Sequence, residues 1–496
     1  MDKKEKSDLY KYLHKDVKEF NKYILSSVCI GILVLAGLLS YFITTSYAYF
    51  TDTIVGEKTI EAKVGLKNLD TSGANEPVLD DAMIPVYYDA TSETWKKADK
   101  SNHKEKYKWY DYDNKMWANS VTVSSTNREK YKNAALGTEI SMDDILTMQV
   151  WIPRYKYKVW NYNSGGDTGS SNPQEIKIDF ETGTSSTGEI KCQEAISGSS
   201  DASSESCKVE DSNEECTNTT CNNKTYTHPA FTFGNEELSG FWAGKFEITG
   251  DINNITVKPN LSSMRNQTIS AFETNIMNMK NSSNQYGLST ATDTHMIKNS
   301  EWGAVAYLSH SKYGTCTDGT CTQSSINLNS DYITGCGFEI PTSYTTTTEC
   351  NKYNTSLGMT ASTTMNIYGI YDMNGGTMEY VMANIVGSDG STPVPSKSGY
   401  TTSTYPDRKY YNLYSATKKT IYLDYSILGD AGKEVYNGRG VTWYKGATVA
   451  MDRSYSWTIK GWSIGNSTFP TMFSNHSNSG VAGDNYSTRL IITPQS

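Results

Sequence analysis

Histidine is scarce in this chain, six in 496 residues. Beyond the first hundred residues His103, His228, His295, His310 and His476 include no pair four positions apart and no His-Glu-x-x-His run. A zincin-type site or a histidine-ligated iron centre therefore lacks its sequence signature. Gly-x-Ser-x-Gly and the phosphate loop are also missing, which removes two common nucleophile and nucleotide signatures. Positive charge is in deficit: 45 Lys and Arg stand against 54 Asp and Glu. Residues 24–496 alone carry 38 against 49, a net of −11, which disfavours nucleic acid as a partner. No internal repeat occurs.

Long apolar runs are limited to one, Ile24 to Thr44, 21 positions without a charge and long enough to cross a bilayer core. Seven lysines and five carboxylates precede it, and no basic residue follows until Lys58. This asymmetry predicts a cytoplasmic tail over 1–23, a transmembrane anchor or signal segment over 24–45, and a single-pass cell-membrane protein with an extracellular C-terminal domain. Ser46 and Ala48 stand at the −3 and −1 positions of a signal-peptidase site, so secretion after cleavage near Ala48 is the alternative.

Nine cysteines are present, Cys29 inside the apolar run and eight beyond it. An even number outside the membrane reads as disulfides. Closeness in sequence suggests Cys192–Cys207, Cys216–Cys221, Cys316–Cys321 and Cys336–Cys350, with other connectivities open. Zinc clips at Cys216 and Cys221 or at Cys316 and Cys321 are the competing reading, without a second pair at ligand spacing.

Aromatic runs at Ile84–Tyr88, Tyr107–Tyr112 and Trp117–Val123 have hairpin chemistry. They predict a stalk and small β module over 49–145, or strands that extend the next domain's sheet. Residues 161–225, polar and with four cysteines, read as a disulfide-rich insertion, and 342–364 as a shorter polar one. Ser270-Ala271-Phe272-Glu273 is a capping box opening a helix with Phe272 and Ile276 on its buried face.

Tyr368-Gly369-Ile370-Tyr371-Asp372-Met373-Asn374-Gly375-Gly376-Thr377-Met378-Glu379-Tyr380 resembles the GLYDMxGNVWEW signature of the formylglycine-generating enzyme (sulfatase-modifying factor) family. Four further blocks keep that family's order: Met148–Pro153, Phe241–Thr249, His295–Trp302, and Tyr486–Ile492 with Arg489 in the place of the closing arginine. The resemblance covers 146–494 and implies a large irregular C-type lectin fold. The expected fold class is thus α+β: one N-terminal transmembrane helix, a small β module, and this lectin-like domain. Tyr49-Phe50-Thr51-Asp52 resembles the junction of secreted fibre and camelysin-like proteins.

The family's oxidases hold copper with two thiols late in the domain, but no cysteine follows Cys350, so the resemblance implies a catalytically degenerate member. It also implies structural calcium held by Asp372, the backbone of Gly375 and Thr377, and Glu379. The alternative is that both carboxylates pin an irregular loop through backbone N–H groups. Trp443, Tyr455, Trp457, Trp462, Asn466, Asn475, His476, Asn485 and Tyr486 suit a recognition face, or in part a core that needs large side chains. The expected function is non-catalytic recognition or adhesion at the cell surface, toward a protein or glycan. The alternatives are a secreted fibre or matrix subunit, a divergent oxidase, and a hypervariable ligand-binding protein of a diversity-generating system.

Overall fold

Alternating bulky and small or polar residues make strands of Ile84–Asp89 (β1), Thr94–Lys97 (β2), Asn119–Val123 (β3) and Ile145–Pro153 (β4). With Gly240–Gly244 (β10), Asp293–Met296 (β11) and Leu490–Thr493 (β17) they form a seven-stranded sheet in the order β11-β17-β10-β4-β3-β1-β2. Every adjacent pair in it is antiparallel. Trp242 on β10 packs on Trp151 of β4 at 5.2 Å and on Trp109 at 6.3 Å, and all three are buried. The computed structural model describes Lys4 and residues 67–494, except 163–170, 195–204, 344, 388, 390–391, 415–426, 439 and 462–468.

The polar insertion builds a second sheet on a core strand. Tyr155–Lys158 (β5), Ile178–Phe180 (β6), Ile190–Glu194 (β7), Glu205–Val209 (β8) and Thr225–Thr227 (β9) run in the order β6-β5-β9-β7-β8. Tyr157, Ile178, Ile190 and Tyr226 join the main hydrophobic cluster, so these strands are anchored by apolar packing as well as by disulfides. The third sheet follows the signature: Met378–Ile385 (β12) lies between Asn412–Tyr414 (β13) and Trp457–Lys460 (β14), with Asn475–Asn478 (β15) beyond and Tyr486–Ser487 (β16) also on β12. Residues Leu69–Ser496 form one compact unit and Met1–Asn68 another.

Several expectations need correction. The fold is strand-dominated with few helices, and of the two readings of the aromatic runs β1–β3 follow the second, extending the main sheet in place of a separate β module among the described residues. Its helices, Ser125–Asn133 (α1), Ile269–Met277 (α2), Asn299–Ser309 (α3) and Ser356–Met359 (α4), are short. At about 1.5 Å per residue, even the 11 residues of α3 cannot cross a hydrocarbon core of about 30 Å. Among the described residues no helix is long and apolar enough to cross a membrane. The transmembrane helix, and with it the single-pass cell-membrane localisation, is therefore unsupported. The tail 1–23 apart from Lys4, the segment 24–45, Cys29 and the junction at Ala48 lie outside the described residues.

Two helix starts differ in detail. Thr268, not Ser270, caps α2, its Oγ1 accepting from Ala271 N at 3.4 Å. Glu273 instead accepts from Met296 N on β11 at 2.7 Å, because burial against that strand outweighs a capping role. In α3 the first turn is capped by Glu301, whose Oε2 accepts from Lys298 N at 2.7 Å. All four external cysteine pairs form as read from spacing, Cys192–Cys207, Cys216–Cys221, Cys316–Cys321 and Cys336–Cys350.

Candidate functional site

The signature loop turns on Asp372, Gly375 and Gly376, all at positive φ, and carries its carboxylates into the interior. Asp372 accepts from Gly335 N at 2.9 Å and Asn327 Nδ2 at 2.8 Å. Glu247, at the end of the strand-like block after β10, accepts from Thr377 N at 2.9 Å and from the Ser263 hydroxyl. Glu379 accepts from Arg489, whose guanidinium also donates to Gly244 O at 2.9 Å and Tyr371 O at 3.0 Å. Three buried carboxyls thus surround one guanidinium. Burial, then the neighbouring Glu379 and Asp372, pushes Glu247 well above the usual carboxyl range. Burial raises Asp372 and lifts Glu379 to about 7 against the pull of Arg489.

Within the expected calcium set, Glu379 Oε2 and the Thr377 hydroxyl are buried without a hydrogen-bond partner among the described residues, while its other carboxylate oxygens are engaged. Asp372 is occupied by protein donors, and the positive charge facing Glu379 is Arg489. Backbone oxygens of Met373, Gly375 and Thr377 lie 3.6–3.8 Å from where a Cβ on Gly461 would sit, three hard oxygens facing one point. Among the described residues the tight cluster of metal-ligating types is His310, Cys316 and Cys321, and there both sulfurs are in a disulfide. Burial lowers His310 to about 4, and its ring bonds to Gln174 O at 2.9 Å and Tyr444 Oη at 2.6 Å.

The C-terminal aromatics divide. Trp443 and Trp457 are core residues at 0% exposure, and Asn475 is buried. Tyr455 is 53% exposed, while His476, Asn485 and Tyr486 are half-buried. Tyr486 packs on Tyr380 at 5.0 Å and accepts from Asn478 Nδ2 at 2.9 Å. Trp462 and Asn466 lie outside the described residues. Among the described positions of this set, Trp443, Trp457 and Asn475 therefore contribute little exposed surface.

A cleft of about 740 Å³ opens elsewhere, between the insertion sheet and the 407–412 segment. Lys191, Cys192, Tyr226 and Thr227 line one side, Asp407 to Lys409, Tyr411 and Asn412 the other, with Lys298 and Ser300 at the start of α3. Behind Lys298 lies a charged network. His295 is held between Asp293 Oδ1 at 2.9 Å and Glu301 Oε1 at 3.0 Å. Burial opposes its charge, but Glu301 and Asp293 prevail and raise it to about 9. Lys280 reaches Asp293 at 2.8 Å, and Phe233 stacks on the imidazole at 4.9 Å. A second interior group centres on Glu434, which accepts from Tyr157, from Tyr307 at 2.7 Å and from Gly429 N at 3.1 Å, and which burial lifts to about 7.

Sequence reasoning missed the cleft because its walls are 180 residues or more apart. The basic, aromatic run Asp407-Arg408-Lys409-Tyr410-Tyr411 in an acidic chain was the available signal. The His295 network was legible in part: Asp293 and His295 stand two apart in one strand and so share a face. No protein-family model matches the chain, and no curated protein matches it.

Proposed function

We propose that this chain is a non-catalytic recognition protein of an oxidising, extracytoplasmic compartment, which takes a protein or glycan ligand in the cleft between the insertion sheet and residues 407–412. The cleft carries this reading: about 740 Å³ suits a ligand of several rings or residues, and its lining mixes charged, hydroxyl, amide and tyrosine groups. Four disulfides support the compartment. The non-catalytic reading is supported by the sealed state of the strongest titratable clusters: Glu247, Glu379, His295 and Glu434 are each at 0% exposure, beyond the reach of a substrate. The kinship to formylglycine-generating enzymes, as a degenerate member, belongs to this proposal and rests on the ordered sequence blocks.

A glycan and protein array probed with the full-length chain tests the reading. A reproducible ligand whose binding is lost on mutation of the 407–412 segment is the expected result. An array without binders, or a ligand indifferent to cleft mutations, would remove it.

A further inference from the structure

Within the recognition reading, on which this step rests, we propose that the cleft selects an anionic, hydroxyl-rich ligand, an acidic saccharide or a phosphate-linked polyol, whose charged group docks on Lys298 at the start of α3. The whole chain has a net charge of −9, yet the cleft is lined by four cations, Lys191, Lys298, Arg408 and Lys409, against two carboxylates, Glu237 and Asp407. Both carboxylates are already engaged. Glu237 pairs with Arg154 at 2.7 Å, and Asp407 caps the backbone N of Lys409 at 3.1 Å. Their charge is answered inside the protein.

Of the cations, Lys409 reaches Asp293 at 3.8 Å and Arg408 donates to Tyr411 O, whereas Lys298 and Lys191 are answered less well. Lys298 is 4% exposed although it lines the cleft. Its ammonium has one carboxylate neighbour, Glu301 Oε1 at 3.6 Å, and that oxygen is shared with His295 at 3.0 Å. Otherwise it lies over the Phe233 ring at 5.0 Å. An ammonium carries three donors, and among the described residues none of those on Lys298 reaches an acceptor at hydrogen-bond distance. A buried charge in that state is costly unless something in the cleft completes it. The first turn of α3 adds the positive end of an 11-residue helix at the same point. Lys191 faces Glu210 at 3.6 Å in an exposed pair of little strength. Thr227 and Thr232 donate to Glu181 and Glu237 at 2.8 Å and Asn412 Oδ1 accepts from Ser300 N at 2.9 Å, so the Asn235 side chain and the Asn412 amide nitrogen are the groups a polyhydroxylated body would use.

Titration calorimetry of the full-length chain with three probes tests the proposal: a galacturonate tetrasaccharide, a glycerol-phosphate oligomer, and a neutral galactose tetrasaccharide. At least one acidic probe should bind about tenfold or more tighter than the neutral one and should weaken as salt is raised. Preference for galacturonate identifies an acidic saccharide, and preference for glycerol phosphate a phosphate-linked polyol. Lys298→Gln should abolish the preference. Because that change touches a buried charge, Lys191→Gln at the exposed rim is the companion variant, expected to weaken the acidic probe severalfold with an unchanged unfolding midpoint. Equal binding of neutral and acidic probes overturns the anionic selectivity and leaves the recognition reading standing. Failure of all three probes overturns the ligand class, whereas the recognition reading falls only with the array.

Discussion

Arg489 holds the signature loop's charge together, and removing either side of its pair has different consequences. Arg489→Met would leave three buried carboxyls facing one another with no cation. Loss of one partner of a buried pair costs about 3–5 kcal/mol, so the variant should unfold at markedly lower denaturant. Glu379→Gln keeps the shape and Arg489's bonds to Gly244 O and Tyr371 O, and should destabilise by less. EDTA should leave the wild-type melting temperature unchanged, because protein donors occupy Asp372 and Arg489 answers the charge of Glu379, whose Oε2 is its one oxygen without a partner among the described residues. A drop with EDTA that Glu379→Gln abolishes would restore a bound cation to this loop and displace the arginine account.

At the scale of elements, the fit of α3 under the 427–436 segment decides more than helix propensity does. Gly303 stands mid-helix, where alanine is ordinarily favoured by about 1 kcal/mol. Here an added Cβ would sit 1.8 Å from Gly429 O and 2.8 Å from its carbonyl carbon, both backbone atoms. Gly303→Ala should therefore destabilise by about 1–3 kcal/mol, as overpacking does; a thermal melt that shows stabilisation would refute the close packing. Elements of this kind were partly legible. Trp302, Val305 and Ala306 gave α3 by their spacing, yet the helix is buried on every side because the later chain folds over its polar face. Strands β4 and β10 were visible through alternation and β17 through the resemblance, whereas β1–β3 could not be assigned to that sheet, since pairing across long sequence separations leaves no local trace. The short cysteine loops were readable from spacing. The cleft was not, because its cations become neighbours only after the insertion sheet and the 407–412 segment meet.

For the whole molecule two opposing forces are testable, cross-linking and buried charge. The four disulfides close loops with sequence separations of 15, 5, 5 and 14 residues. Each should contribute about 2 to 3 kcal/mol in the loop-entropy picture, so reduction should lower the melting temperature sharply; an unchanged melt would deny them that role. Buried charge acts through pH. Glu273 is pushed up by burial to about 8 and Glu247 well above the usual range, so both hold a proton in the fold that the unfolded chain has released by pH 6.5. Their stabilisation is complete below the unfolded carboxyl value and declines as pH rises toward the folded one. His295, raised to about 9, works in the same direction, since its charged form is favoured in the fold and its contribution is lost between 6.5 and 9. His228 and His310, lowered by burial to about 3 and about 4, oppose this trend only below 6.5, where the unfolded chain protonates them. Between pH 6.5 and 8 the counterweight is Lys245 and Lys460, whose ammonium groups burial lowers. The raised carboxyls Glu247, Glu273, Glu379 and Glu434 together with His295 outnumber them, and the denaturation midpoint should fall across this interval. Glu273→Gln should flatten the slope. A midpoint that rises from 6.5 to 8, or a slope unchanged by the substitution, would mean that these buried groups are answered by charges the fold supplies elsewhere.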